Sequence, residues 1–247
     1  MSKAQISIFI ILATLIAVLI IISLSISYQP IYQPLTEDIT VQIRSFTEDC
    51  LEQTLSDGLL ILGMQGGYVY ASDFPGYIPY SQFYVMLDDN SGFDFLPSTK
   101  EIATLQLAPY IQKQIGDCTH HYAAFEHARR RFEIGNATVS VIIGKDAVSA
   151  ILHQPIRVSD SSRSFVIDDF GTSIPLHLPS MLATAEYLIQ QHIRDPSYIS
   201  LTTLEDLPFE PQVLTLYDDT YFVTLLDNSV SVRGKPYQFM WATQLSS

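Results

Sequence analysis

Hydrophobic positions fall along this chain in three regimes. From Ala4 to Thr36 there is no charged side chain, and Ile6–Ile26 is interrupted only by Ser7, Thr14, Ser23 and Ser25. At about 1.5 Å per residue that run makes a helix of roughly 32 Å, enough to cross a hydrocarbon core. Pro30 and Pro34 end it and predict a stalk over residues 28–36. The second regime is amphipathic. Ile43, Phe46, Cys50, Leu51, Leu55, Leu59 and Leu62 recur at helical spacing, while Gln42, Glu48, Asp49, Glu52, Gln53 and Ser56 take the other face. Thr36 as cap and Gly63, Gly66 and Gly67 as stop signals bound a helix over 37–63. A second stripe, from Ile102 and Leu105 through Ile111, Ile115, Cys118, Tyr122 and Phe125, follows the capping-box pattern Ser98…Glu101. It predicts a helix to about Phe132, kinked or restarted at Pro109.

Between these helices Tyr68–Phe95 is dense in aromatic rings and broken by Pro75, Gly76 and Pro79. It reads as an irregular extended excursion with one strand at 81–87, ending in the turn-like Asp88–Gly92. Beyond Asn136 the third regime begins, rich in β-branched residues. Thr138–Ile143 and Val148–Val158, joined by Gly144-Lys145-Asp146, predict a hairpin, and Ser164–Ile174 a third strand. A helix from Pro179 turns Leu182, Ala185, Leu188, Ile189 and Ile193 inward and stops at Asp195-Pro196. Short strands are expected at Val213–Tyr217, Tyr221–Leu226, Val230–Val232 and Pro236–Ala242, with turns at Asp218-Asp219 and Asp227-Asn228. This order predicts an α+β domain with helices packed on an antiparallel sheet. It spans residues 37–247, with a helical part at 37–133 and a sheet-rich part at 137–247.

Charge sets the orientation. Lys3 precedes the apolar run, and Glu37 and Asp38 follow it. The positive-inside bias places a short cytoplasmic N-terminus and one span in 1–27, with the large domain outside the cytoplasm, attached to the cell membrane. The run exceeds the roughly 7–15 apolar residues of a secretory signal, which favours a retained anchor over cleavage at Ser25-Ile26-Ser27. Lys3-Ala4-Gln5-Ile6-Ser7 resembles the processing site of archaeal type IV pilin precursors. That resemblance implies cleavage between Ala4 and Gln5 with the helix kept, although Phe9 stands where such pilins carry glutamate.

With 26 acidic and 13 basic side chains the chain carries a formal charge of −13, which disfavours a nucleic-acid partner. The basic cluster Arg129–Arg131 adjoins Glu126 and Glu133 and reads as a solvated helix end. Cys50 and Cys118 each fall on an apolar helix face. Outside the cytoplasm such thiols pair, so a disulfide is expected, with two buried free thiols as the alternative. Asn136-Ala137-Thr138 is a glycosylation sequon.

Further residues carry a wider resemblance. They are Gln5-Ile6-Ser7, Cys50-Leu51, Gly63–Tyr68, Tyr110-Ile111 with Cys118, and Gly234-Lys235-Pro236-Tyr237 with Phe239. With them the chain resembles a group of uncharacterised single-pass, membrane-anchored extracytoplasmic proteins of small-genome archaea. The resemblance covers most of the chain and implies an anchored outer domain without bringing an activity.

Motifs for chemistry are sparse. His120, His121, Glu126 and His127 lack the i, i+4 spacing of a helical zinc pair. Asp88–Asp94 is oxygen-rich, but its glycine is displaced from the calcium-loop position. No nucleophile elbow, phosphate loop or dinucleotide fingerprint is present, and neither Glu126 nor Asp168-Asp169 stands in a motif that would make it a catalytic carboxylate. The expectation is a structural or binding ectodomain with no cofactor, no metal and no catalysis. The alternatives are a pilin-like filament subunit and an anchored hydrolase. A protein or cell-surface partner is expected, with oligomeric state open. Tyr77, Tyr80 and Tyr84, on a loop held open by prolines, are its expected contact surface; the competing role is a lid packed over the helices.

Overall fold

The computed structural model describes residues 35–70, 77–80, 83–88, 96–125, 130–159, 163–195, 207–215 and 220–244. The chain divides into two compact units, Met1–Val41 and Gln42–Ser247, and the architecture is that of the second. Among the described residues no helix is long and apolar enough to cross a membrane. The expected anchor at 1–27 and the processing site Ala4–Gln5 lie outside the described residues.

The fold is α+β. Helix α1, Leu35–Met64, starts inside the segment expected as a stalk. Ile43, Leu51, Leu55, Leu59 and Leu62 are fully buried along one face, as their spacing requires. Helix α2 is composite: one α-turn at Thr99–Glu101, a π-helical run at Ile102–Leu107 and an α-helix at Ala108–Thr119. Ser98 and Glu101 close the capping box at its start. Pro109 sits in the first turn of the last segment, where its missing N–H costs nothing, and the π run ahead of it absorbs the interrupted hydrogen-bond ladder. The helix does not reach Phe132 as the stripe suggested. A 3₁₀ segment, His120–Phe125, follows, with His120, His121 and Tyr122 all at positive φ. The chain is already a strand at Arg131, so the predicted cationic helix end becomes a strand start.

Three sheets form. The first holds five strands in the order β1-β2-β11-β10-β9: Tyr77–Tyr80, Phe83–Asp88, Lys235–Gln244, Thr220–Val232 and Glu210–Thr215. The aromatic excursion is therefore a hairpin, β1–β2, where one strand was expected. β2 joins β11 in parallel, so this sheet is mixed and not purely antiparallel. Asp227-Asn228, expected as a turn, lies inside β10 at an irregularity between Asp227 and Ser231.

The other two sheets, β3-β6-β7 and β4-β5-β8, are two halves of one meander. The strands are β3 Arg131–Ile134, β4 Thr138–Ile143, β5 Ala147–His153, β6 Ile156–Ser159, β7 Ser164–Ile167 and β8 Phe170–Pro175. Both expected long strands break at the same level, Val148–Val158 at Gln154-Pro155 and Ser164–Ile174 at Asp168-Asp169, and residues 135–137 part β3 from β4 beside them. Pro155 has no N–H to continue a ladder, and its ring occupies the space a Gly135 side chain would need, 2.6 Å from the position of a Cβ.

Helix α3, Leu178–Arg194, has proline in its first turn and buries Leu178, Met181, Leu182, Ala185 and Ile189. α1 meets both β assemblies. At its C-terminal end a Cβ on Gly63 would lie 2.2 Å from the Gln238 carbonyl oxygen of β11, so only glycine permits this approach. Tyr237 donates to the Leu59 carbonyl at 3.1 Å. Further up α1, Arg44 donates to the Asp169 carbonyl at 2.9 Å and lies over the Phe170 ring.

Candidate functional site

Cys50 on α1 and Cys118 on α2 stand at disulfide distance, with Cα atoms 5.7 Å apart, and close a loop across 68 positions of sequence. The pair ties the first two helices side by side, as the two apolar stripes led one to expect. Two grooves flank the α2 helix so held.

The first, about 550 Å³, runs along the disulfide between α1 and α2. Asp49, Asp57, Asp117, Gln53 and Gln114 line its polar side, and Phe46, Tyr110 and the cysteine pair contribute to a somewhat larger apolar share. Burial raises the Asp57 carboxyl above its ordinary value, although Arg233 pairs with it at 2.9 Å and opposes the rise.

The second, about 580 Å³, lies between the π-helical start of α2 and α3. Pro97, Leu105, Leu182, Ile189 and Ile193 form an apolar strip in a lining that is otherwise mostly polar, with Ser98, Thr99, Gln106 and Gln190 beside the carboxylates of Glu101 and Glu186. Leu105 is 61 % exposed although it lies in phase with the buried stripe. The π run widens the turn at this point and turns Leu105 out of the core. Tyr187 on α3 is 49 % exposed as well. Glu101 is engaged in the cap: its hydrogen bonds from the Ser98 N–H and hydroxyl hold its carboxyl below the ordinary range. This groove suits an apolar side-chain row flanked by cations.

One arrangement among the described residues has the parts of acid–base machinery. His177, just before α3, places Nδ1 2.7 Å from Asp227 Oδ2. Burial disfavours the Asp227 carboxylate, but hydrogen bonds from Ser229 and His177 outweigh it and hold the carboxyl below its ordinary value. Ser229 donates to Oδ1 through both N–H and hydroxyl. It serves the carboxylate and not the imidazole, so it is not placed as a nucleophile activated by His177. The trio fastens the β10 irregularity to the start of α3.

The remaining expected positions scatter. Tyr77 and Tyr80 bound β1, and Tyr84 pairs with Pro79 from β2. Their rings lie outside the described residues. Asn136 is exposed in the link between β3 and β4. His120 and His121 are exposed at the left-handed end of α2; Glu126 and His127 lie outside the described residues. Sequence reasoning missed the α2–α3 groove. Its signal was present in Pro109, which interrupts the ladder just after the π run that displaces Leu105, but periodicity alone counted Leu105 as core. No family model matches the chain, and no curated protein or solved structure matches it.

Proposed function

We propose that this chain is a membrane-anchored cell-surface protein whose folded part is a non-catalytic contact module. The α2–α3 groove, where the exposed Leu105 heads an apolar strip within a largely polar lining, carries the reading. Its carboxylates favour a protein or cell-surface partner that presents apolar side chains beside basic ones. The charge-free run behind Lys3 supports a single span with the domain outside the cytoplasm, and the Cys50–Cys118 pair suits that oxidising side. The resemblance to anchored extracytoplasmic proteins of small-genome archaea stands with this reading. Two measurements on intact cells test it. Added protease should remove the folded part, and a photo-crosslinker at Leu105 should give an adduct that one at Ser173 does not. Protection from protease, or equal labelling at both positions, would sink it.

A second reading, a pilin-like filament subunit, draws on the amphipathic α1 that follows the apolar run and on its contacts with β11. A mature N-terminus at Gln5, read by mass spectrometry, would select it; an intact Met1 or Ser2 would remove it. The hydrolase reading rests on His177–Asp227 alone and lacks a placed nucleophile among the described residues.

A further inference from the structure

We propose that His153, Asp168 and Asp169 form a binding site for one divalent transition-metal ion, of which zinc is the probe of choice. The three side chains meet where the meander breaks. His153 ends β5, and Asp168-Asp169 link β7 to β8. One ligating atom from each lies within 4.8 Å of the other two. Zinc binds imidazole nitrogen and carboxylate oxygen at about 2.0–2.2 Å in a tetrahedron, so the ligands of one ion stand roughly 3.4 Å apart. Reaching that geometry takes shifts on the order of 1 Å, the Asp168 carboxylate drawing in and the direct His153–Asp169 contact opening to admit the ion. The side chains can supply them, since His153 is 51 % and Asp169 66 % exposed.

Charge argues for a cation as strongly as geometry does. Two adjacent carboxylates in water would be expected to diverge, yet one is in contact with the imidazole and the other holds an oxygen within 4.8 Å of it. His153 Nδ1 is in contact with Asp169 Oδ1, and Asp168 Oδ1 accepts the Asp169 N–H at 2.9 Å. Among the described residues neither carboxylate pairs with a lysine or arginine. Arg44 reaches this link, but its guanidinium goes to the Asp169 main-chain carbonyl, the Phe170 ring and Glu48. With neutral imidazole the three side chains carry two negative charges, matched by one dication. The nitrogen donor disfavours calcium and magnesium, which take oxygen. Three protein ligands leave a position for water or an external ligand.

The ion would span the break between β5 and the β7–β8 link, where no ladder hydrogen bonds run. The sequence separation of 15 residues hides such a site from motif reading.

The test is zinc titration of the full-length chain in detergent, after chelation, by calorimetry. One zinc per chain is expected. Affinity should fall at least about tenfold in His153→Ala and in the double variant Asp168→Asn/Asp169→Asn, and hold in His121→Ala and His177→Ala. Asparagine tolerates the left-handed backbone of Asp169, at φ 58°, so the double variant should keep the fold. Absence of saturable binding, retention of affinity by either ligand variant, or calcium binding in place of zinc would overturn the proposal. If a variant melts early, zinc-edge X-ray absorption on the unaltered chain decides instead: one imidazole with carboxylate oxygens supports the site, and any other ligand set removes it.

Discussion

In the five-stranded sheet β10 and β11 run 13 and 10 residues beside one another, whereas the meander is interrupted midway into two sheets whose strands are only 4 to 7 residues long. The first is backed by α1 at backbone range and filled with large rings: Tyr237, Phe239 and Trp241 are all buried. The second is filled by aliphatics such as Val148, Leu152, Ile156 and Ile174. At its break, side chains replace the missing ladder. Gln154 accepts from the Tyr122 hydroxyl at 3.2 Å and donates to the Gly135 carbonyl at 3.4 Å, while Thr47 of α1 donates to Tyr122. The continuous sheet is thus sensitive to volume, and the broken one to the loss of individual polar groups.

Substitutions of glycine should expose that contrast most sharply. Gly63→Val drives side-chain atoms into the β11 backbone, and a loss on the order of 3 kcal/mol or failure to fold is expected by denaturant titration. Gly171→Ala in β8 meets nothing within 4 Å and should move stability by under about 0.5 kcal/mol. Losses of equal size would erase the distinction. Of comparable size, replacing Cys50 and Cys118 with serine frees a loop across 68 positions and should cost about 4 kcal/mol, read from the chemical midpoint with and without reductant.

Polar deletions come third. Gln154→Leu leaves the buried Tyr122 hydroxyl and the Gly135 carbonyl short of partners and should cost about 1–3 kcal/mol. Tyr237→Phe removes one hydroxyl from a carbonyl already bonded within α1, and about 1 kcal/mol is expected. A larger cost for Tyr237→Phe would reverse the assignment of polar sensitivity to the meander. The smallest effect concerns pH. The Asp227 carboxyl is held below its ordinary value, so its contribution is complete above about pH 4 and fades as pH falls through the lower folded-state value. Asp227→Asn should therefore flatten the acid limb of stability and leave its slope near pH 7 unchanged. An unaltered acid limb would show that the His177–Asp227 bond contributes nothing to folding.

Much of this was legible in the sequence where a single period rules a segment. α1 and α3 follow the 3.6-residue spacing to within two residues, and the paired cysteines follow from two apolar stripes. What escaped was decided by contacts distant in sequence. Tyr122 and Phe125 continue the α2 stripe in phase, yet the chain turns left-handed at His120 because Tyr122 is held by Thr47 and Gln154 and packs edge-on to Phe46. Pro155 inside an apolar run was a local sign of the meander break, outweighed by the β-branched residues around it. The parallel seating of β2 on β11 depends on partners about 155 positions apart, which no window of residues contains. The α2–α3 groove was hidden for a related reason, since the π run changes the phase of Leu105 without changing the pattern.

The place of Cys50 within α1 has a mechanical consequence. A pull entering the folded unit through the N-terminal end of α1 travels along the helix and meets Cys50 before Leu59 or Gly63. There the covalent link to Cys118 diverts the load into α2. The contacts of Leu59 and Gly63 with β11 then lie downstream of the cross-link and carry only what α2 does not take. Reduced, the same helix would pass on to Tyr237 and Gln238, in shear, all the load that its contacts at Arg44 and Thr47 do not hold.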